Sequence, residues 1–418
     1  MDKNYDPAQA QQKWYKFWEE SGFFKPEIHP DGKPFTIVLP PPNASGKMHT
    51  GNVLMIAIED LLIRWHRMQG DAALWIPGTD HAGTETQITF ERELKKQDKS
   101  RFSYTRKELY KEIMSFVQSN KQSIEDQIRQ MGASVDWSRY RFTLDDEVIK
   151  TVHQTFRKMA RDGLVYRGEY MVNYCPKCGT TYSDVEISHE DRTSPLYYIK
   201  YPLVEGKGFL TVATTRPEPI WADTHLAVNP KDKKHAHLVG KKVLNPLTDA
   251  VMEIIADDFV DPKFGTGIVK LTPAIDKNDY EVALKHGLPI IEIIDWSGKM
   301  KGRYSGLNIE EARKQALAEI EAKGLLEKTD SNYTNTVDMC KAGHQIEPML
   351  IPNWFVKVDK PGKSFKDPAY QAVKEGRVKI YPKWREKTYL RWMEEMRDWP
   401  ISRQNVWGIQ IPVWYKVE

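Results

Sequence analysis

Apolar and polar positions along the chain mark out one unit sharply. Residues 36–39 (Thr-Ile-Val-Leu) form a short apolar run of strand composition that halts at Pro40-Pro41-Pro42. Proline has no N–H for a sheet ladder, so a strand ends there. Downstream, Leu54, Ile58, Leu61, Leu62, Trp65 and Met68 recur at helical spacing, and Gly70 stands where a helix C′ glycine belongs. A second apolar run, residues 72–76, stops at Pro77-Gly78. The pattern predicts strand, helix and strand, hence a parallel pair with a right-handed crossover.

The rest of the chain divides by texture. Asp6-Pro7 can cap a helix reaching about residue 21, with Trp14, Phe17 and Trp18 on one side as a docking face and Gly22 as its stop. Residues 104–131 predict a charged helix with Leu109, Ile113, Phe116, Val117, Ile124, Ile128 and Met131 apolar. Residues 146–162 predict another, with Val148, Ile149, Val152, Phe156 and Met159 inward. The charges of these two helices can be a solvated face or an RNA contact. From about residue 194, short β-rich runs recur at 196–201, 209–214, 225–228, 251–255, 267–271 and 290–294, broken only by a helix at 278–286. Such spacing predicts a compact, barrel-like β domain. After about residue 340 the texture returns to mixed α/β, with an amphipathic helix near 388–397 carrying Leu390, Trp392, Met393 and Met396.

Composition adds bounds. A chain of 418 residues holds two or three domains. Its 61 Lys+Arg against 58 Asp+Glu leave too little net charge to argue for nucleic acid by itself. No apolar run is long enough to span a bilayer, and the first residues lack a signal-peptide core, so a soluble cytoplasmic protein is expected. Of three cysteines, two stand as Cys175-Pro-Lys-Cys178, the shape of a metal knuckle, and Cys340 and His344 can complete the set. Inert cysteines are the alternative.

Candidate chemistry gathers at the strand ends. Ligands of open parallel sheets sit beyond the carboxyl ends of the strands. The loops after both predicted strands place His49, Asn52, Asp80 and His81 at one crevice. The helix N-terminus near His49 offers orphan N–H groups to a phosphate, and Gly51 permits close approach.

These residues carry a resemblance. Pro40-Pro-Pro-Asn-Ala-Ser-Gly-Lys-Met-His-Thr-Gly-Asn52 resembles the "HIGH" signature of class I aminoacyl-tRNA synthetases, with Asn52 in place of the second His. Gly78-Thr-Asp-His-Ala-Gly83 is similar to the form found in the valyl branch, as are Ser183-Asp-Val-Glu186, Glu347-Pro-Met-Leu350 and Asn353-Trp-Phe355. The resemblance implies a Rossmann-like parallel-sheet catalytic domain interrupted by an inserted β-rich editing domain: residues 1–190, then 191–338 as the insertion, then 339–418 as the return. It implies ATP-dependent valine activation with transfer to tRNA(Val). In that scheme His49 and Asn52 are catalytic, Asn43, Gly46, His49, Gly51 and Asn52 meet ATP, and Pro41, Pro42, Asn43, Asp80 and Trp407 meet valine. Trp407 can equally be plain core. An isoleucyl-type enzyme and a free-standing deacylase of mischarged tRNA are the rivals.

Ala213-Thr214-Thr215-Arg216-Pro217-Glu218 and residues 272–280 resemble the family's editing motifs, which assigns Thr214, Thr215, Arg216, Asp276 and Asp279 to hydrolysis of mischarged Thr-tRNA(Val). Asp279 would hold the substrate ammonium; Asp276 and Asp279 can instead be a helix-capping pair. Pro219 and Ile275 depart from the family's usual Thr and His. Magnesium is expected with ATP, and structural Zn2+ on Cys175, Cys178, Cys340 and His344. The family's second ATP signature, of the Lys-Met-Ser-Lys-Ser type, does not occur in these residues. They are therefore expected to be the N-terminal portion of a longer enzyme or one half of a split one, poor at activation alone, and either monomeric or paired with the missing portion.

Overall fold

The computed structural model describes residues 6–416 and divides the chain into two units, 1–162 with 405–418, and 163–404. In the first unit, α1 (Pro7–Glu20) starts on Asp6, whose Oδ1 accepts from the N–H groups of Ala8 and Gln9. β1 (Pro34–Ile37), α2 (Thr50–Met68) and β2 (Ala72–Trp75) make the expected unit, with β1 and β2 parallel in the register Pro34–Ala72 to Ile37–Trp75. β3 (Gly78–Thr79) pairs in parallel with β4 (Arg141–Phe142). A Cβ on Gly78 would stand 2.7 Å from the Arg141 carbonyl oxygen, so that approach needs glycine. α3 (Gly83–Lys96), α4 (Arg106–Gln130) and α5 (Asp146–Arg161) complete the unit.

The α4 periodicity is realised: Leu109, Ile113, Val117, Ile124 and Ile128 are buried in one core with Ile56, Ile63, Trp75 and Trp407. Each such side chain contributes about 1.5–3 kcal/mol. Three other faces differ from expectation. On α1 the residue that docks is Tyr15, buried with its hydroxyl donating to the Ala133 carbonyl, while Trp14 and Phe17 stay exposed. On α2 the apolar stripe faces outward. Ile56 and Ile63 are its buried residues, and on the same side Asp60, Arg64 and Arg67 bond the 132–134 turn. On α5, Phe156 is buried but Val152 is not.

In the second unit, β5 (Val165–Cys175), β6 (Thr180–Tyr182), β14 (Glu347–Val356) and β15 (Trp399–Pro400) form an antiparallel sheet ordered β15-β14-β5-β6. β7 (Ser188–Pro202) and β13 (Leu326–Met339) make a long antiparallel ribbon, with β8 (Phe209–Thr214) beside β7. A four-stranded sheet follows, ordered β10-β11-β9-β12 from β9 (His225–Val228), β10 (Lys242–Leu244), β11 (Val251–Ala256) and β12 (Ile268–Leu271). A single bridge, Leu203 to Val243, joins the two sheets over a shared core. α6 (Lys277–His286) and α7 (Ile309–Ala322) precede β13; α8 (Lys366–Lys374) and α9 (Arg385–Glu394) follow β14. The run expected as a strand at 290–294 is irregular, held by one bridge from Ile294 to Met300. Trp392, expected on the apolar side of α9, is exposed; Met393 is the buried one.

Candidate functional site

At the first loop His49 is the N-cap of α2. Its Nδ1 accepts from the Gly51 N–H at 3.0 Å and the Asn52 N–H at 3.4 Å, while Asn52 Oδ1 accepts from the His49 N–H at 3.2 Å. This reciprocal box places His49 and Asn52 together. It also corrects one expectation: the N–H groups of Gly51 and Asn52 are satisfied by the His49 ring rather than open. With Nδ1 accepting, the ring proton sits on Nε2, and the Asn52 amide keeps its NH2 as a donor. A Cβ on Gly51 would lie 2.9 Å from His49 Cε1, so a larger residue there would push the His49 ring out of this position.

The second loop lies alongside. The Asp80 N–H donates to the Pro42 carbonyl, and the Ala44 N–H donates to the Asp80 carbonyl, a parallel bridge between Asn43 and Asp80. Asn43, Pro41 and Asp80 thus share one edge, with Pro42 buried beneath. Asp80 Oδ1 accepts from the Ala82 N–H and the Thr143 hydroxyl, which fixes the carboxylate while leaving it part-exposed. His81 packs behind it, 2.6 Å from Thr143 Oγ1; burial holds its imidazole below the ordinary value, against the pull of Asp80. Trp407 is buried, donating from Nε1 to the His81 carbonyl at 2.8 Å, with Tyr110 against its ring. Gln87 anchors the returning chain by accepting from the Val406 and Trp407 N–H groups. His81 was in view from the sequence; Thr143, Gln87 and Tyr110 were not, since only the fold brings them near.

The second group lies wholly within residues 163–404. Thr214 Oγ1 accepts from the Arg216 N–H at the end of β8. Arg216 bonds Glu218 and Glu347, and Glu218 also receives Arg313, so β8, α7 and β14 are tied by a buried ion network. Burial raises the Glu218 carboxyl, but the two guanidinium groups hold it below its usual range overall. Asp276 is the N-cap of α6, accepting from the N–H groups of Asn278 and Asp279. Asp279 makes no reciprocal cap. It is buried, and its Oδ2 accepts from the Thr272 N–H at 2.7 Å. Burial, then the Asp276 charge, pushes its pKa up to about 8. Behind it Asp223 accepts from Tyr201, Thr272 and Lys270. The capping alternative therefore holds for Asp276 alone, and Asp279 is left as a buried, proton-holding carboxyl.

The third group is the cysteine set. Ligand atoms of Cys175, Cys178, Cys340 and His344 all lie within 4.8 Å of one another. Cys178 and Cys340 sulfurs are 3.8 Å apart, and His344 Nδ1 is 3.4 Å from Cys178 Sγ. Sulfurs sharing a tetrahedral zinc at about 2.3 Å stand roughly 3.8 Å apart, so the donor set fits a closed four-ligand site. His344 Nδ1 faces the Cys175 and Cys178 sulfurs.

Comparison with known proteins follows the same lines. The family described as tRNA synthetases class I (I, L, M and V) matches residues 13–418. The chain belongs to this family. It is 44% identical over 419 residues to a valine–tRNA ligase of Dehalococcoides mccartyi, covering 99% of this chain and 47% of that one. Valine–tRNA ligases of Petrotoga mobilis and Thermotoga maritima are 44% and 43% identical, again over 99% of this chain and 47% and 48% of theirs. The chain therefore spans about half the length of the curated relatives it matches. Among the described residues no helix is long and apolar enough to cross a membrane.

Proposed function

We propose that these residues belong to a valine–tRNA ligase and supply its amino-acid activation site and its editing site. The observation that carries the reading is the bridge between Asn43 and Asp80, which sets a helix N-terminus and a fixed carboxylate side by side at the ends of parallel strands. Asp80 holds the valine ammonium, and Pro41, Pro42 and Trp407 bound its side chain. The valine carboxylate attacks the α-phosphorus of ATP and pyrophosphate leaves. His49 from Nε2 and Asn52 from its amide donate to phosphate oxygens as negative charge develops there, beside Gly46 and Gly51. Magnesium accompanies the ATP and neutralises phosphate charge.

A hydrophobic pocket rejects an isostere that merely adds a hydroxyl only weakly, so threonine needs a second, polar site. Asp279 is its ammonium ligand, Asp276 sets the helix that carries it, and Thr214, Thr215 and Arg216 at the end of β8 are its further residues. β7 and β13 enter and leave this region as one antiparallel ribbon, with His189 opposite Asp338, which is what an insertion at 191–338 into a Rossmann-like catalytic domain requires. Zinc on Cys175, Cys178, Cys340 and His344 would cross-link the two hairpins at the ribbon's base; with four protein ligands it has no open position and a structural role. Partners are valine, ATP and tRNA(Val), in the cytoplasm. A free-standing deacylase is the second reading, favoured by the confinement of every editing residue named here to residues 163–404.

A pyrophosphate-exchange panel on the intact enzyme tests the proposal. Valine should stimulate ATP–pyrophosphate exchange and isoleucine should not. Absence of exchange with every amino acid tested would favour the deacylase, and stimulation by isoleucine over valine an isoleucyl enzyme.

A further inference from the structure

The pairing of β3 with β4 brings Thr143 to Asp80 from some sixty residues away. The Arg141 N–H donates to the Pro77 carbonyl and the Thr143 N–H to the Thr79 carbonyl, both at 3.2 Å. That register sets Thr143 beside Asp80 and His81. Its hydroxyl meets three groups there: Asp80 Oδ1 at 3.1 Å, the His81 backbone N–H at 2.8 Å and His81 Nδ1 at 2.6 Å. A hydroxyl has one proton and two lone pairs, and an ionised carboxylate can only accept. The Thr143 proton therefore goes to Asp80, and its two lone pairs receive from the His81 backbone and ring. The His81 ring proton thus sits on Nδ1, the reverse of His49. Burial keeps this ring uncharged at neutral pH, so Nε2 is bare.

The same contacts distinguish the two carboxylate oxygens. Oδ1 accepts from Thr143 and from the N–H of Ala82, a residue held at a left-handed φ of 51°. Such backbone strain persists only where the surroundings over-determine it. They do so here, because the His81 carbonyl also accepts from Thr86 Oγ1 at 2.7 Å and Trp407 Nε1 at 2.8 Å. Oδ2 has no partner among the described residues, and the Asp80 side chain is 37% exposed.

We infer that Thr143 is a positioning residue for amino-acid binding: its hydroxyl turns the Asp80 carboxylate so that Oδ2 is the oxygen offered to the substrate ammonium, and it fixes the His81 tautomer behind it. The inference rests on the reading of Asp80 as ammonium ligand. Thr143 touches no substrate. Without its hydroxyl the carboxylate is free to turn, and ordering it again falls on amino-acid binding. The ATP contacts assigned to His49 and Asn52 do not involve it.

Amino-acid-dependent ATP–pyrophosphate exchange on the intact enzyme reads the effect. Thr143→Val keeps the shape and removes the hydroxyl; it should raise KM for valine on the order of 10-fold, the worth of a hydrogen bond to a charged group. KM for ATP and the maximal rate should stay near their parental values. Thr143→Ser restores the hydroxyl and should recover KM for valine. The tautomer gives a readout that needs no catalysis. In protein labelled with 15N-histidine, the ring signals that vanish in His81→Gln should show a protonated Nδ1 and a bare Nε2 at neutral pH. Thr143→Val should shift those signals. A parental KM for valine in Thr143→Val, or KM values for valine and ATP that rise together without recovery in Thr143→Ser, would overturn the inference. A parental His81 protonated on Nε2 would overturn it alone, whereas exchange stimulated by no amino acid would remove the reading of Asp80 and the inference with it.

Discussion

Replacing Asp279 by Ala is expected to cut hydrolysis of Thr-tRNA(Val) by on the order of 10²-fold or more, the cost of stranding a buried ammonium without its counter-charge. The alanine also orphans the Thr272 N–H, so Asp279→Asn is the companion variant: its amide oxygen can still accept that bond at 2.7 Å while the charge is gone. Both should lose hydrolysis, and the asparagine should keep the parental melting temperature. A pH profile adds an independent reading. The free Asp279 carboxyl has its pKa near 8, so it is largely protonated at neutral pH. The ionised form is the one that binds an ammonium, so kcat/KM should rise from pH 6 towards pH 8 and fall again as the substrate amine deprotonates. A variant that clears Thr-tRNA(Val) at the parental rate would move the role elsewhere.

Metal loss is the second large effect. With Cys175, Cys178 and Cys340 all buried and His344 facing them, metal analysis should return one zinc per chain. Cys175→Ala should abolish it and lower the melting temperature by on the order of 10 °C, because the binding energy of such a site is folding energy. Chelation of the parent chain should reproduce the change. A metal-free chain of equal stability would contradict the assignment.

How far the sequence could be read depended on whether each signal was local. The β1-α2-β2 unit was legible because Pro40–Pro42, Gly70 and Pro77-Gly78 punctuate it, and each acts on its own neighbours. The α4 core face was legible because its apolar residues do turn inward. The same reasoning fails on α2, where periodicity locates a stripe but cannot say which side the protein covers. The inward side is held by Asp60, Arg64 and Arg67 bonded to the 132–134 turn, contacts across some seventy residues. The β7-β13 ribbon was largely missed for a related reason: much of it is exposed on both faces, so residues such as Lys328 and Asp330 show no alternation. Asp276 was readable as a cap, since capping is local. That Asp279 instead reaches Thr272 is a tertiary fact. So is the Arg216–Glu218–Arg313 network, whose members come from the loop after β8 and from α7. The cysteine set was legible through scarcity, because Cys340 is the one cysteine beyond the knuckle and His344 stands four residues on.

The measurement that bears most directly on the central claim is a deacylation panel on this chain with Thr-tRNA(Val), Val-tRNA(Val) and Val-tRNA(Ile). A valyl enzyme's editing site accepts the hydroxyl of threonine and spares valine. The account predicts that Thr-tRNA(Val) is hydrolysed well above the spontaneous rate while both valyl esters persist. Hydrolysis of Val-tRNA(Ile) with Thr-tRNA(Val) left intact would contradict it.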